Sequence, residues 1–169
     1  MRYAGKRLTA KKIGKIIDKI PHRKYVEPFA GLATVLRNKK PSEKEIVNDL
    51  DCQIMSFAKR KYARVKGVKT TCGKDYKEVI RHHDAPTTLF YLDPPYDGVK
   101  PSNWIQRHYK FNSVPIDDFV KTIRKIKGKV VISHSPKQRK KLCQKTFKCK
   151  YIHFKFFGQP RKDLLVIKK

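Results

Sequence analysis

The residues Leu89-Phe90-Tyr91-Leu92 form an unbroken apolar run, and Asp93-Pro94-Pro95-Tyr96 follows it directly. A strand that is apolar at every position has no face for solvent, so it must lie inside a sheet covered on both sides. Such sheets are largely parallel, and parallel strands need crossover connections, usually helices. The chain supplies them. Ile13, Ile16, Ile17 and Ile20 fall at i, i+3, i+4 and i+7, the face of an amphipathic helix that Pro21 ends. Tyr25 to Phe29 reads as a strand opening into a small-residue turn at Ala30-Gly31, and Glu45 to Asp49 as a second strand. A helix follows, with Ile54, Phe57 and Ala58 on one face and Asp51 as its cap. Gly67 to Cys72 gives a third strand and Asp75 to His83 another helix. Beyond the central run, Ile116, Phe119, Val120, Ile123 and Ile126 make a helical stripe closed by Gly128. Val130 to Ser133 is again a buried strand, and Pro136 starts a helix predicted to run through Thr146. Tyr151 to Phe157 and Leu164 to Ile167 have no helix between them and are expected to pair antiparallel.

This alternation predicts an α/β fold: a mostly parallel sheet of about seven strands with helices on both faces and a terminal antiparallel hairpin, residues 1–169 forming one domain. In such sheets ligands bind at the carboxyl ends of the strands. A hydrophobic share of 39% supports a core and excludes a disordered tail. No apolar stretch of about 18 residues exists to span a membrane. No apolar leader follows Met1 to Lys6, so the chain is read as intracellular, in the cytoplasm.

Charge narrows the partners. Lys and Arg number 42 against 14 Asp and Glu, a formal net charge of +28. An excess of this size attracts polyanions, with salt-dependent affinity, and points to nucleic acid. Balanced glutamates, which a heat-adapted surface would carry, are scarce. Cys52, Cys72, Cys143 and Cys149 form no C-x-x-C pair, and no histidine cluster completes a metal set. They are read as reduced thiols, buried or incidental, with no metal bound. His82 and His83, being adjacent, are expected to point apart.

Asp93-Pro94-Pro95-Tyr96 carries the chemistry. Two prolines stiffen the turn and remove two backbone donors. The Asp93 carboxylate and the Pro94 carbonyl then offer two acceptors to one small target, which matches the two N–H donors of an amino group. The Tyr96 ring is available to stack on a flat base. Glu27-Pro28-Phe29-Ala30-Gly31-Leu32-Ala33 lies at the first strand-to-helix turn, where small residues allow a ligand close to the backbone. Asp49, 18 residues beyond Gly31, ends the second strand, where an acid can bind ribose hydroxyls; capping a helix is its alternative use. Asp75-Tyr76, after the third strand, carries the same two options.

Together these segments resemble the Dam-type, alpha-group DNA adenine-N6 methyltransferases, which use S-adenosylmethionine. Phe29-Ala30-Gly31 is similar to that family's F-x-G-x-G motif, Asp93 to Tyr96 to its D-P-P-Y motif, and Asn48-Asp49 to its ribose-binding acid. Asp75 lies where the family carries an acid near the cofactor's adenine. Tyr3-Ala4-Gly5-Lys6 resembles the N-terminal W-x-G-G-K motif, and Lys162 to Ile167 the closing strand. The resemblance implies a Rossmann-like methyltransferase fold and S-adenosylmethionine as cofactor, held by Tyr3, Lys6, Glu27, Phe29, Ala30, Gly31, Asp49, Asp75 and Asp93. It implies methyl transfer to the N6 amino group of adenine in DNA, by Asp93, Pro94, Pro95 and Tyr96. RNA methylation and a non-catalytic nucleic-acid-binding module are the alternatives.

Three departures bear on this. Ala33 stands where the motif's last Gly would be, which calls for a negative φ there. The N-terminal motif lacks one Gly and has Tyr for Trp. About 17 residues separate Asp75 from Asp93, where the family usually inserts a target-recognition domain of some tens of residues. Recognition then falls to relaxed specificity, to a partner protein or second copy, or to the 97–112 loop. That loop mixes Trp104, Arg107, His108, Tyr109 and Lys110, a basic-aromatic set suited to stacking and phosphates.

Overall fold

A computed structural model describes residues 6–95, 113–144, 146–156 and 158–168. Seven strands form one sheet in the order β3-β2-β1-β4-β5-β7-β6. They are β1 (Lys24–Glu27), β2 (Lys44–Asp49), β3 (Lys69–Cys72), β4 (Thr88–Leu92), β5 (Lys129–His134), β6 (Lys148–Phe156) and β7 (Gln159–Lys168). The first five run parallel, and β7 is antiparallel to both β5 and β6. The predicted central strand, β4, is fourth of seven, and every residue in it is buried.

Two cores flank the sheet, as the period-2 alternation of a doubly covered strand requires. On one face Tyr25, Leu89, Tyr91, Val131 and Leu165 pack with Ile13 and Ile17 of α1 (Ala10–Ile17) and with α2 (Cys52–Lys61). On the other, Val26, Phe90, Leu92, Val130 and Ile132 meet Val79 and Ile80 of α4 (Tyr76–His83) and the stripe of α5 (Ile116–Lys125). A short α3 (Ala63–Lys66) follows α2. Inside α1, Gly14 is where the helix meets the chain after β1: a Cβ there would collide with the Asn38 carbonyl.

Several expectations need correction. The inward face of α2 is Met55 and Ala58, continued by Tyr62 and Val65, whereas Ile54 is half-buried and Phe57 is 38% exposed. Asp51 does cap the helix, accepting from the amides of Gln53 and Ile54 at 2.9 and 3.4 Å, and so sets its phase. The helix expected through Thr146 is a 3-10 turn at Pro136–Gln138 and a single turn, α6 (Arg139–Leu142). The chain must reverse there to enter β6. The hairpin strands exceed their predicted spans because their outer ladder is exposed and lacks an apolar signal.

The cysteines are not free thiols. Cys52 is bonded to Cys72 and Cys143 to Cys149, with Cα separations of 5.0 and 5.9 Å. Sequence spacing hides this, because folding brings the start of α2 to the end of β3 and the end of α6 to the start of β6. Cys52 and Cys72 are exposed, not buried. His82 and His83 do not point apart: their rings meet edge to face at 4.7 Å between centroids. No described helix is long and apolar enough to cross a membrane.

Candidate active site

The carboxyl ends of β1, β2, β4 and β5 converge on one edge of the sheet, and most of the predicted residues lie there. The turn after β1 is tied to β2 by backbone and carboxylate bonds. The Ala30 amide donates to the Asn48 carbonyl at 2.8 Å, and the Gly31 amide to Asp49 Oδ2 at 2.7 Å. Asp49 Oδ1 accepts from the Asp51 amide at 2.9 Å. Asn48 Nδ2 donates to the carbonyls of Pro28 and Lys74, and the Thr71 hydroxyl donates to Asn48 Oδ1. Three strand ends are thereby fixed relative to one another. Asp49 is 8% exposed, and burial raises its carboxyl above the usual range, opposed by the two amides. Each of its oxygens keeps acceptor capacity beyond the amide it holds.

Gly31 takes φ +51° and Ala33 φ +49°. The expectation of a negative φ at Ala33 is overturned. The left-handed conformation is imposed from outside: Ala33 is fully buried, its amide donates to Ala30 and its carbonyl accepts from Arg37. An L-residue there costs about 1–2 kcal/mol relative to the right-handed form. Phe29 anchors the turn from the other face, with its ring 5.0 Å from Tyr76 and 6.5 Å from Phe119.

Glu27, the last residue of β1, is 2% exposed and accepts from the Tyr25 hydroxyl at 2.8 Å. Burial pushes its carboxyl up to about 8; the negative charge of Asp93 adds to this, and the Tyr25 hydrogen bond opposes it. Tyr25 in turn has its hydroxyl raised well above the usual range by burial and by Glu27.

Asp93 directly follows the central strand, half-buried, with Pro94 buried beside it. The Pro95 carbonyl accepts from the Val114 amide at 3.3 Å, tying this turn to the start of α5. Lys6 reaches Asp93 from the 3-10 turn Lys6–Leu8, with Nζ 3.3 Å from Oδ1. The same ammonium lies 3.0 Å from Asp163 Oδ2 on β7. Lys6 is thus brought to the edge that Asp93 occupies.

Asp75 is drawn elsewhere. Its side chain caps α4, accepting from the Lys77 amide at 2.8 Å, and it faces solvent. Tyr3, Tyr96 and the loop residues Trp104, Arg107, Tyr109 and Lys110 lie outside the described residues.

Reasoning from sequence missed Tyr25, His134 and the pairing of Asp163 with Lys6. His134 ends β5, the strand next to β4, 1% exposed, and its Nδ1 accepts from the Ser135 amide at 2.8 Å, which assigns the proton to Nε2. A polar residue at the boundary of a buried strand is the signal that could have found His134 and Asp163. Among the described residues no cluster of His, Cys, Asp or Glu suits a metal ion.

The sheet order, the hairpin and the site at the carboxyl edge define a Rossmann-like methyltransferase fold. A family model described as D12 class N6 adenine-specific DNA methyltransferase matches residues 3–68. Solved structures agree on the fold. A putative methyltransferase, yhhF, from Escherichia coli is 9% identical, with 95% of this chain and 85% of that one covered at a TM-score of 0.60. A putative rRNA-methylase from Clostridium thermocellum is 12% identical, with coverages of 96% and 97% and a TM-score of 0.61. An O-methyltransferase from Bacillus cereus, in complex with SAH, is 9% identical, with coverages of 95% and 80% and a TM-score of 0.59. No curated protein matches the sequence.

Proposed function

We propose that this chain, as a single methyltransferase domain, transfers a methyl group from S-adenosylmethionine to the N6 amino group of adenine in DNA. The observation that carries the reading is Asp93, set at the end of the central strand and facing the Lys6 ammonium, on the same edge as the Gly31–Asp49 turn. The match to the D12 model over residues 3–68 and the net charge of +28 support it.

The turn suits the cofactor. Gly31 has no Cβ and a positive φ, so a ligand can approach its backbone. Asp49 offers buried acceptors for ribose hydroxyls, and Glu27 a carboxyl for the cofactor's amino acid end. Phe29 and Ala30 shape the turn, with Tyr3 and Lys6 as outer contributors to the cofactor site, whereas Asp75 is engaged in capping α4. When bound, the cofactor supplies an electrophilic methyl group on a sulfonium. The protein's own residues then position the target. Adenine must leave the duplex stack for its amino nitrogen to be reached. Asp93 and the Pro94 carbonyl accept the two amino N–H groups, Pro95 stiffens the turn, and Tyr96 stacks on the base. That hydrogen bonding favours a pyramidal nitrogen with its lone pair directed at the methyl. Catalysis is by positioning and preorganised electrostatics, with no covalent enzyme intermediate.

RNA is the second substrate, favoured by the roughly 17 residues between Asp75 and Asp93, which leave no room for a separate recognition domain. Trp104, Arg107, Tyr109 and Lys110, a partner protein or a second copy would then supply recognition. Incubation with labelled S-adenosylmethionine and DNA or RNA, followed by digestion and mass analysis, separates the two. N6-methyladenine in DNA is the expected product. Label only in RNA would replace the DNA reading, and no label in either would end both.

A further inference from the structure

The amino ends of the strands, opposite the edge that carries Asp49 and Asp93, hold a second concave surface. β1, β2 and β3 each begin with a lysine: Lys24, Lys44 and Lys69. Lys24 and Lys44 are register partners on neighbouring parallel strands, and Lys69 is the partner of Ile46, two residues beyond Lys44. Strands lie about 4.8 Å apart, so three ammonium groups are gathered across about 10 Å of one sheet edge. With Arg64, Glu45 and His83, which ends α4, they line a groove of about 510 Å³. Strand alternation accounts for the grouping. Val26 and Ile46 pack with Val79 and Ile80 of α4, and Lys24 and Lys44, two residues earlier on each strand, share that face.

The acids of this groove are already matched. Glu45, 8% exposed, holds Lys39 Nζ at 2.7 Å and also pairs with Arg64, and Glu43 pairs with Arg23 at 2.9 Å. Lys24, Lys44 and Lys69 form no ion pair among the described residues. The carboxyl end of α4 offers about half a negative charge, too little for three ammonium groups. His83 registers the resulting field: its imidazole is pushed down to about 4, first by burial and then by the charges of His82, Lys24 and Lys69. We propose that this groove binds the phosphate backbone of a polynucleotide, as a contact separate from the site that receives the base. A polynucleotide brings a row of single negative charges to a row of lysines, and each contact releases condensed counterions. Lys44 and Asp49 are the two ends of β2, about 17 Å apart, so the groove adds affinity for the chain and no choice of base. The proposal rests on the nucleic-acid partner of the reading above and is independent of the methyl transfer itself.

The test compares the native chain with Lys24→Gln/Lys44→Gln/Lys69→Gln, with the matching arginine triple, and with the control Lys11→Gln/Lys15→Gln/Lys19→Gln. The control removes the same charge from exposed positions on and just after α1, which packs on the other face of the sheet. Binding to two DNA duplexes of unrelated sequence and one RNA duplex, each of about 30 base pairs, is titrated between about 50 and 200 mM salt. On the duplexes that the native chain binds, the glutamine triple is expected to lower affinity at least about tenfold and to reduce the steepness of log K against log salt by about 2–3, near 0.9 for each lost phosphate contact. The loss should be the same for both DNA sequences, because phosphate contacts carry no sequence information. The arginine triple should keep the native steepness, and the control should change it by less than about 1. Native affinity and steepness in the glutamine triple overturn the proposal, as does an equal change in the control, which would reduce the effect to net charge. Loss of binding to inorganic phosphate or to anionic vesicles with duplex binding intact would assign the groove to another anion and also overturn it. If the triple does not fold by thermal melting, Lys44→Gln/Lys69→Gln, at two exposed positions, gives the same comparison with a change of about 2. A native chain that binds neither DNA nor RNA overturns the proposal, whereas one that binds without methylating removes the methyltransferase reading and leaves the groove in place.

Discussion

The two halves of the site are held by different kinds of contact. The turn after β1 is secured by neighbours: amides of Ala30, Gly31 and Asp51 and the side chains of Asn48 and Asp49, all from adjacent strand ends. The edge after β4 is secured from the two ends of the chain, by Lys6 and Asp163. The first half is buried and hydrogen-bonded within itself. The second is less deeply buried and charged, with the Lys6 ammonium between two acids. On the proposed reading the first half is the cofactor's cradle, which must keep its shape, and its polar groups are spent on one another. On the same reading, the carboxylate that receives the base is instead balanced by the charge of Lys6.

Substitutions should separate the two halves. The largest effect is expected from Asp93→Ala, which removes the acceptor at the open half. Methyl transfer should be abolished while Tm stays close to native, because Asp93 is only half-buried. An active Asp93→Ala protein would sink the assignment. Asp49→Ala attacks the closed half and should behave differently. It leaves the amides of Gly31 and Asp51 without their acceptor, at a cost of about 2–4 kcal/mol in urea denaturation. Cofactor affinity should fall with it, and native stability in this variant would mean that the two bonds are unimportant.

Glu27 sits between the halves and gives a pH-dependent effect. Its carboxyl is pushed from the usual 4.5 to about 8, first by burial and then by the charge of Asp93. An acid with a raised folded-state pKa contributes stability that is whole below its unfolded pKa and is lost as pH climbs through the folded value. Glu27→Gln does not ionise and keeps an oxygen for the Tyr25 hydroxyl. Its stability relative to the native chain should rise between pH 4.5 and about 8 and level off above that. Urea titrations across this window measure it, and a difference that ignores pH would exclude burial of a charge as its cause. The smallest effect is expected at Ala33. Ala33→Gly relieves the left-handed alanine but loosens the unfolded chain, for a net gain of about 0.5–1 kcal/mol. Any loss of thermal stability would contradict the strain at this residue.

The first half of the site was legible before folding because it is built from local rules. A small-residue turn after a strand, an acid at the end of the next strand and Asp51 capping α2 are each set by a few consecutive residues. The same holds for β4, since four apolar residues in a row have one place to go in an α/β sheet. What failed to show has long-range causes. The face of α2 depends on the cap and on what α2 packs against, so Met55 replaced Ile54 and Phe57 as the inward residue. The outer ladder of β6 and β7 is held by main-chain bonds that leave no pattern in side chains. The disulfides need elements brought together from 20 and 6 residues apart, with no spacing motif to announce them.

Asp93 itself shows the division. Its residue type, its prolines and its place after an apolar strand were written in eight consecutive positions, Leu89 to Tyr96, because burial and proline geometry act on neighbours. Its electrostatic setting was not, because charge acts through space. Lys6 and Asp163 meet across 157 residues of chain only when α1 and β7 pack on the same face of one sheet.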